Sequence, residues 1–252
     1  MSVVKSAERV LAILEYLRQA KPSTVGDISK GLNLPNSSTS VLLKSLVDLG
    51  YLDYSPSTRL FKPSFRVALL GESVEERPIL HEGPLTEALR ALHEKTGETV
   101  LVGLQNGAYV QYVHVLASTR KLMERLPIGK LRLMAYNPLG EALLALLDDK
   151  RIASIFRHNN ANWPDPETRF SESALWDQIR LIRTNGYAEG PGRTWPNAVI
   201  FAIALRPNLD MPPISIAVGG LGNSILPQRE AIVETLLDVV ATFSRENHLP
   251  SR

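Results

Sequence analysis

The chain has 252 residues, 44% of them hydrophobic and 21% charged, which is enough apolar material for a packed core in each of two domains. The net charge is only +2, so contact with nucleic acid must rest on local charge and not on bulk charge. The absence of cysteine excludes disulfides, thiolate nucleophiles and cysteine-ligated zinc, and no segment is apolar for long enough to span a bilayer. Met1-Ser2-Val3-Val4-Lys5 leads directly into an amphipathic pattern without the apolar core of a signal peptide, which points to the cytoplasm.

The first 62 residues predict three helices and a hairpin. Ala7, Val10, Leu11, Leu14 and Leu17 recur at helical spacing after Ser6, the expected N-cap, and Lys21-Pro22-Ser23 breaks the pattern. Thr24 and Asp27 have the spacing of a capping box that opens a second helix over Val25, Ile28 and Leu32, with Gly31 expected at positive φ. Asn36 is the expected N-cap of a third helix that runs to Leu49 and stops at Gly50. The segments Tyr51–Tyr54 and Arg59–Lys62 flank a Pro/Ser turn and read as a hairpin. A hairpin directly after a helix-turn-helix is a wing.

Helical spacing returns at Phe65, Ala68, Leu69 and Glu72 and predicts a linker helix that ends before Pro78. The expected organisation is therefore a winged helix-turn-helix in residues 1–64, a linker helix in 65–77 and a second domain in 78–252. In the second domain we expect helices over Leu80–Lys95, Pro138–Leu147, Ser171–Thr184 and Pro227–Arg245. Strands are expected over Thr99–Leu104, Tyr109–Leu116, Ala198–Leu205 and Pro213–Gly219, with Asn106-Gly107 turning the first hairpin. This order implies an α+β fold with an antiparallel sheet.

Ser37, Ser38, Thr39 and Ser40 are short hydrogen-bonding residues at the start of the third helix, a composition suited to close approach to phosphates and base edges. A serine-rich cap on any small bundle would look the same. Local charge favours DNA: residues 1–62 hold eight basic and five acidic side chains. Val41 and Lys44 follow on the helix, and Arg59 sits in the wing, where it would reach a phosphate or the minor groove. Gly219-Gly220-Leu221-Gly222 lacks the Lys-Ser/Thr of a phosphate loop and reads as a turn. His81, His93, His114, His158 and His248 show no metal-ligand spacing, so neither metal nor cofactor is expected, and no catalytic constellation is recognisable. Trp176 reads as packing, whereas Trp195 suits either a pocket wall or a loop cover.

The two halves together resemble the IclR family of regulators. The resemblance rests on Ser6–Leu14, Gly31–Ser38, Leu46–Leu52, Thr96–Leu101, Gly140–Ala145 and Gly186-Tyr187-Ala188, in that order. It implies a winged helix-turn-helix that binds a double-stranded DNA operator, a GAF-like effector domain that binds a small molecule, and a homodimer or tetramer. Three departures stand out. Val41 replaces the family's usual Arg, Gly140-Glu141-Ala142 replaces Gly-Lys-Ala, and Ile200, Ala217 and Gly219 replace the Cys and two Ser of relatives that bind small acids. By the same resemblance, the wall of the effector site is expected from Met134, Tyr136, Asn137 and Leu139, with Trp195 as a lid, and the ligand is expected to be aromatic or largely apolar. A C-terminal domain that only oligomerises, or an enzyme with an appended DNA-binding domain, stays open as an alternative.

Overall fold

The computed structural model describes residues 4–72, 83–120, 126–165, 168–193, 196–206 and 212–246. The chain divides into two compact units, Met1–Glu76 and Arg77–Arg252.

The first unit contains α1 (Lys5–Gln19), α2 (Val25–Gly31), α3 (Asn36–Asp48), β1 (Leu52–Ser55), β2 (Leu60–Pro63) and α4 (Phe65–Glu72). Ile13, Leu17, Ile28, Leu43, Leu46, Leu52 and Phe61 form its core, one apolar stripe from each of the first three helices closed by the hairpin. The capping box of α2 is present: Asp27 N–H donates to Thr24 Oγ1 at 3.3 Å, and Thr24 N–H donates to Asp27 Oδ2 at 3.0 Å. α3 ends in a Schellman motif, with Gly50 at φ 79°, Gly50 N–H on Val47 O at 2.9 Å and Tyr51 N–H on Leu46 O at 2.8 Å.

Three expected local details differ. Ser6 does not cap α1, which begins at Lys5 after Val4 and has no side-chain cap. Asn36 is the first helical residue of α3 and not its cap; the Pro35 carbonyl holds that end, accepting Ser38 Oγ and Thr39 Oγ1 at 3.0 Å each. The left-handed residue after α2 is Asn33 at φ 51°, and Gly31 is required for space, since a Cβ there would meet the Tyr16 ring at 2.4 Å. Residues 73–77 of the expected linker helix lie outside the described residues.

The second unit contains α5 (Pro84–Thr96), β3 (Thr99–Asn106), β4 (Tyr109–Leu116), β5 (Leu131–Leu133), a 3-10 turn (Met134–Tyr136), α6 (Pro138–Leu144), α7 (Asp149–Ala161), α8 (Glu172–Asn185), β6 (Ala188–Pro191), β7 (Ala198–Leu205), β8 (Ile214–Leu221), α9 (Gly222–Ile225) and α10 (Arg229–Glu246). Its strands form one antiparallel sheet in the order β5-β4-β3-β8-β7-β6, which makes the unit α+β. Period-2 alternation sends Leu101, Tyr112, Ile200, Ala202 and Ala217 to a face covered by α6, α7 and α8. Val100, Val102, Phe201, Ile216 and Val218 go to the opposite face, under α5 and α10. α7 is absent from the sequence expectation, and α6 is shorter than expected, ending at Leu144. Of the first hairpin's two turn residues, Gly107 and Ala108, Gly107 alone has positive φ (61°), so the turn sits one residue later than Asn106-Gly107 implies. The expected turn at Gly219–Gly222 lies largely inside β8, where Gly220 leaves room for Glu98: a Cβ would meet its Oε2 at 2.4 Å.

All seven residues of α6 are buried. It seats against the Met134 turn through Gly140, where a Cβ would lie 2.4 Å from both Met134 Cα and Met134 O. Backbone cannot yield as a side-chain tip can, so Gly140→Ala is expected to cost about 1–3 kcal/mol, the usual cost of overpacking, or more. Denaturant unfolding of wild type and variant measures it.

Candidate DNA interface and effector cavity

In the first unit, Ser37, Ser40, Val41 and Lys44 recur at i, i+3, i+4 and i+7 and form one exposed stripe on α3, with Val41 65% exposed although it is a large apolar side chain. Ser38 is half-buried and bonded to Pro35 O. Thr39 is a correction. It is 0% exposed on the core side of α3, and its hydroxyl is spent on Pro35 O, so it cannot reach a ligand. Arg59 sits in the wing turn at φ 56°, exposed. Ser40, Lys44 and Arg59 converge on one groove of about 590 Å³, which Thr24 and Gly26 also line. Thr24 is expected from the sequence only as a cap; the structure also makes the turn before α2 a wall of this groove.

The wing is tied to the same groove. Tyr54 packs on Phe61 with ring centroids 4.7 Å apart. Ser23 bridges Phe61 with both backbone bonds, Ser23 N–H to Phe61 O at 3.1 Å and Phe61 N–H to Ser23 O at 2.9 Å. The groove thus presents a helix face together with a loop and a wing that main-chain bonds join, with two cations and no acid among its lining residues.

In the second unit, the structure separates the expected effector residues from open space. Met134, Leu139, Ile200 and Ala217 are buried in the core between the sheet and α6, and Gly219 is paired inside the sheet with Ile200 and Thr99. Asn137 is consumed by the fold: its Oδ1 accepts Leu139 N–H at 3.0 Å to cap α6, and its Nδ2 donates to Tyr112 Oη at 3.0 Å. Tyr136 Oη donates to Asn160 Oδ1 and accepts Phe170 N–H at 3.1 Å. The polar groups of both residues are thus engaged within the fold, and the expected wall lies behind the open space as a backing layer. Trp195 lies outside the described residues. Trp176 packs against the core from α8, as expected.

The cavity lies one layer further out, a space of about 290 Å³ between Ala135, Glu141, Phe170, Leu175, Gln178 and Arg193. Tyr136 stacks on Trp163 at 4.0 Å and 7°, and on Phe170 at 5.0 Å and 25°. The Arg193 guanidinium lies over this stack, 4.5 Å from the Phe170 ring. Glu189, from β6, borders the cavity but is committed to Arg229 at 2.8 Å. Glu141 is only 7% exposed and has no hydrogen-bond partner among the described residues. Burial pushes its carboxyl up to about 8, opposed by the positive charge of Arg193. The sequence signal for Glu141 was available: a lone acid within Pro138-Leu139-Gly140-Glu141-Ala142-Leu143-Leu144. Phe170 and Arg193 carried no such signal. Among the described residues there is no group of three or more potential metal ligands and no helix long and apolar enough to cross a membrane.

Comparison with known proteins agrees with this two-part architecture. The IclR helix-turn-helix domain matches residues 6–56, and the bacterial transcriptional regulator IclR C-terminal domain matches residues 73–245. The chain belongs to the IclR family. Family members are DNA-binding transcription regulators with a C-terminal effector-binding domain, and this IclR-type chain is one of them. It is 27% identical over 192 residues to the HTH-type transcriptional regulator XynR of Escherichia coli, covering 75% of each chain. It is 24% identical over 252 residues to the HTH-type transcriptional repressor AllR of Escherichia coli, covering 97% of this chain and 92% of that one. The fold resembles that of IclR from Thermotoga maritima, with a TM-score of 0.70 at 17% identity over 97% of this chain and 99% of the other. It also resembles an IclR homolog from Microbacterium hydrocarbonoxydans complexed with 4-hydroxybenzoate, with a TM-score of 0.69 at 15% identity over 94% of this chain and 97% of that one.

The raised Glu141 carboxyl has a thermodynamic consequence. The folded chain holds a proton that the unfolded chain releases near pH 4.5, so this contribution to stability is complete below pH 4.5 and is lost as pH rises to about 8. Thermal unfolding of Glu141→Gln is expected to lack this decline, which at its steepest approaches about 1.4 kcal/mol per pH unit, and the variant should exceed wild type in stability above pH 7.

Proposed function

We propose that residues 1–64 grip an operator through the exposed stripe of α3 and the wing, and that a small molecule held in residues 78–252 sets the strength of that grip through the linker in 65–77. The observation that carries the DNA-binding part is the convergence of Ser40, Lys44 and Arg59 on one groove whose lining residues include two cations and no acid. Ser37, Ser38 and Ser40 are short enough to let the helix approach the duplex, and Lys44 and Arg59 supply the phosphate contacts. Acting on DNA, the protein works in the cytoplasm, and we assign it regulation and not catalysis.

The working form is a homodimer or a pair of dimers. Leu11 on α1 and Phe65 and Leu69 on α4 are exposed large apolar side chains of the DNA-binding unit, Phe65 at 74%. A second copy of the chain would cover such residues, and two-fold symmetry would match the two half-sites of a pseudo-palindrome. The effector has an apolar body, because Phe170, Ala174 and Leu175 line the cavity. The 4-hydroxybenzoate bound by the Microbacterium homolog supports an aromatic ligand of this size.

Two measurements on the full chain test the DNA reading. If each dimer neutralises roughly six phosphates, the logarithm of the binding constant falls against log salt with a slope near −5, and Lys44→Ala and Arg59→Ala each make it shallower. A salt-independent binding constant would sink the assignment. Val41 cannot make the bidentate guanine contact open to Arg, and its exposed methyls suit a thymine methyl. Val41→Arg is therefore expected to shift base preference in randomised-site selection more than it shifts total affinity; an unchanged preference places Val41 away from the bases.

A further inference from the structure

Glu141 is a buried acid of the second unit for which the described residues supply no hydrogen-bond partner. It projects from a helix buried along its whole length, where an ionised carboxylate is costly unless paired. Its neighbours are otherwise engaged. The Tyr136 hydroxyl serves Asn160 and Phe170, the Gln178 amide donates to Glu189 O at 3.2 Å, and the Glu189 carboxylate holds Arg229. Arg193, the nearest cation, is spread over the ring stack and forms no salt bridge with Glu141. What remains is a cavity with an aromatic and aliphatic wall, and one buried carboxyl at its side with open hydrogen-bonding capacity.

We infer that this cavity takes a small ligand whose nitrogen-bearing cationic head, an amidinium, guanidinium or ammonium group, docks on the Glu141 carboxylate while its apolar body rests against Phe170 and Leu175. The inference rests on the reading of the second unit as the effector-binding domain and specifies the chemistry of that site. The volume of about 290 Å³ is at the lower end for ligand sites, enough for a single substituted ring. A ligand carboxylate would meet Glu141 as a like charge or as a shared proton. A cation instead gives the buried group a partner that the described residues do not supply, and a charge-assisted hydrogen bond is about twice as strong as a neutral one. The titratable groups that border the cavity with Glu141 are Glu189 on β6 and Arg193 beyond it; α8 presents the uncharged Gln178. Because Glu141 carries its proton for much of the time at neutral pH, docking of a cation must expel that proton.

Benzamidine, benzamide and benzoate are near-isosteric probes with a cationic, a neutral and an anionic head. Titration calorimetry on the full chain at pH 7, in two buffers of different protonation enthalpy, is expected to show benzamidine binding at least ten-fold more tightly than the other two, with net proton release. Glu141→Gln should bring benzamidine and benzamide to equal affinity, and Arg193→Ala, which removes the competing cation, should tighten benzamidine further. Tighter binding of benzoate than of benzamidine, or a benzamidine preference that survives Glu141→Gln, overturns the inference but leaves an effector cavity in place. Failure of all three probes to bind removes the effector-cavity reading and the inference together.

Discussion

The second unit depends on how closely α6 can approach the turn before it. A helix buried on every side must be satisfied at both ends and must find room for its backbone among its neighbours. Gly140 provides the room, because nothing larger than hydrogen fits above Met134. Asn137 satisfies the helix start, and Asn159 on α7 satisfies the turn, accepting Ala135 N–H and donating to Ala108 O, both at 2.8 Å. Asn159 is itself 0% exposed, so these bonds form away from competing water and its own polar atoms are compensated. The position of Glu141 follows directly. Once Gly140 and Asn137 fix the depth of α6, the next side chain has nowhere to go but inward.

How much of this could be seen in the sequence depends on whether the deciding interaction is local. The first unit is written in short-range signals. The Thr24–Asp27 box, the Gly50 stop and the alternation either side of Pro56 each act within a few residues, and each emerged at its expected place. Where the expectation slipped, at Ser6, Asn36 and Gly31, several local residues could have served and tertiary packing chose among them. α7 went unseen for a different reason. Its apolar set is small, and Asn159-Asn160 resembles a loop, yet Asn159 is a core residue whose partners lie in the chain far before it. The lining of the cavity is hidden for the same cause. Ile200 and Ala217 lie on the sheet face that Met134 and Leu139 cover, but the space beyond that layer is bordered by Phe170, Gln178 and Arg193, which come from segments with no sequence signal linking them.

The sheet keeps its two tasks apart. One face, under α5 and α10, is packed with aliphatic side chains and Phe201, and holds the unit together. The other supports α6 and the layer behind the cavity. Alternating strand residues assign neighbours to opposite faces, so a side chain that shapes the ligand layer sits beside one that stabilises the domain without touching the same partners. Substitutions at Ile200 or Ala217 can therefore alter the layer under α6 while the opposite core keeps its packing.

The main-chain bridge between Ser23 and Phe61 has a consequence for the kinetics of operator search. It joins the loop before α2 to the second strand of the wing, and Tyr54 braces the same strand through its ring. Two walls of one groove are thereby joined during folding, and the conformational entropy of ordering them has already been spent when the protein meets DNA. A surface arranged in advance needs no slow rearrangement after collision, so encounter is governed by diffusion and by the surplus of basic over acidic side chains in residues 1–62. The protein can then sample many non-specific sites rapidly, leaving discrimination to how long it stays at each.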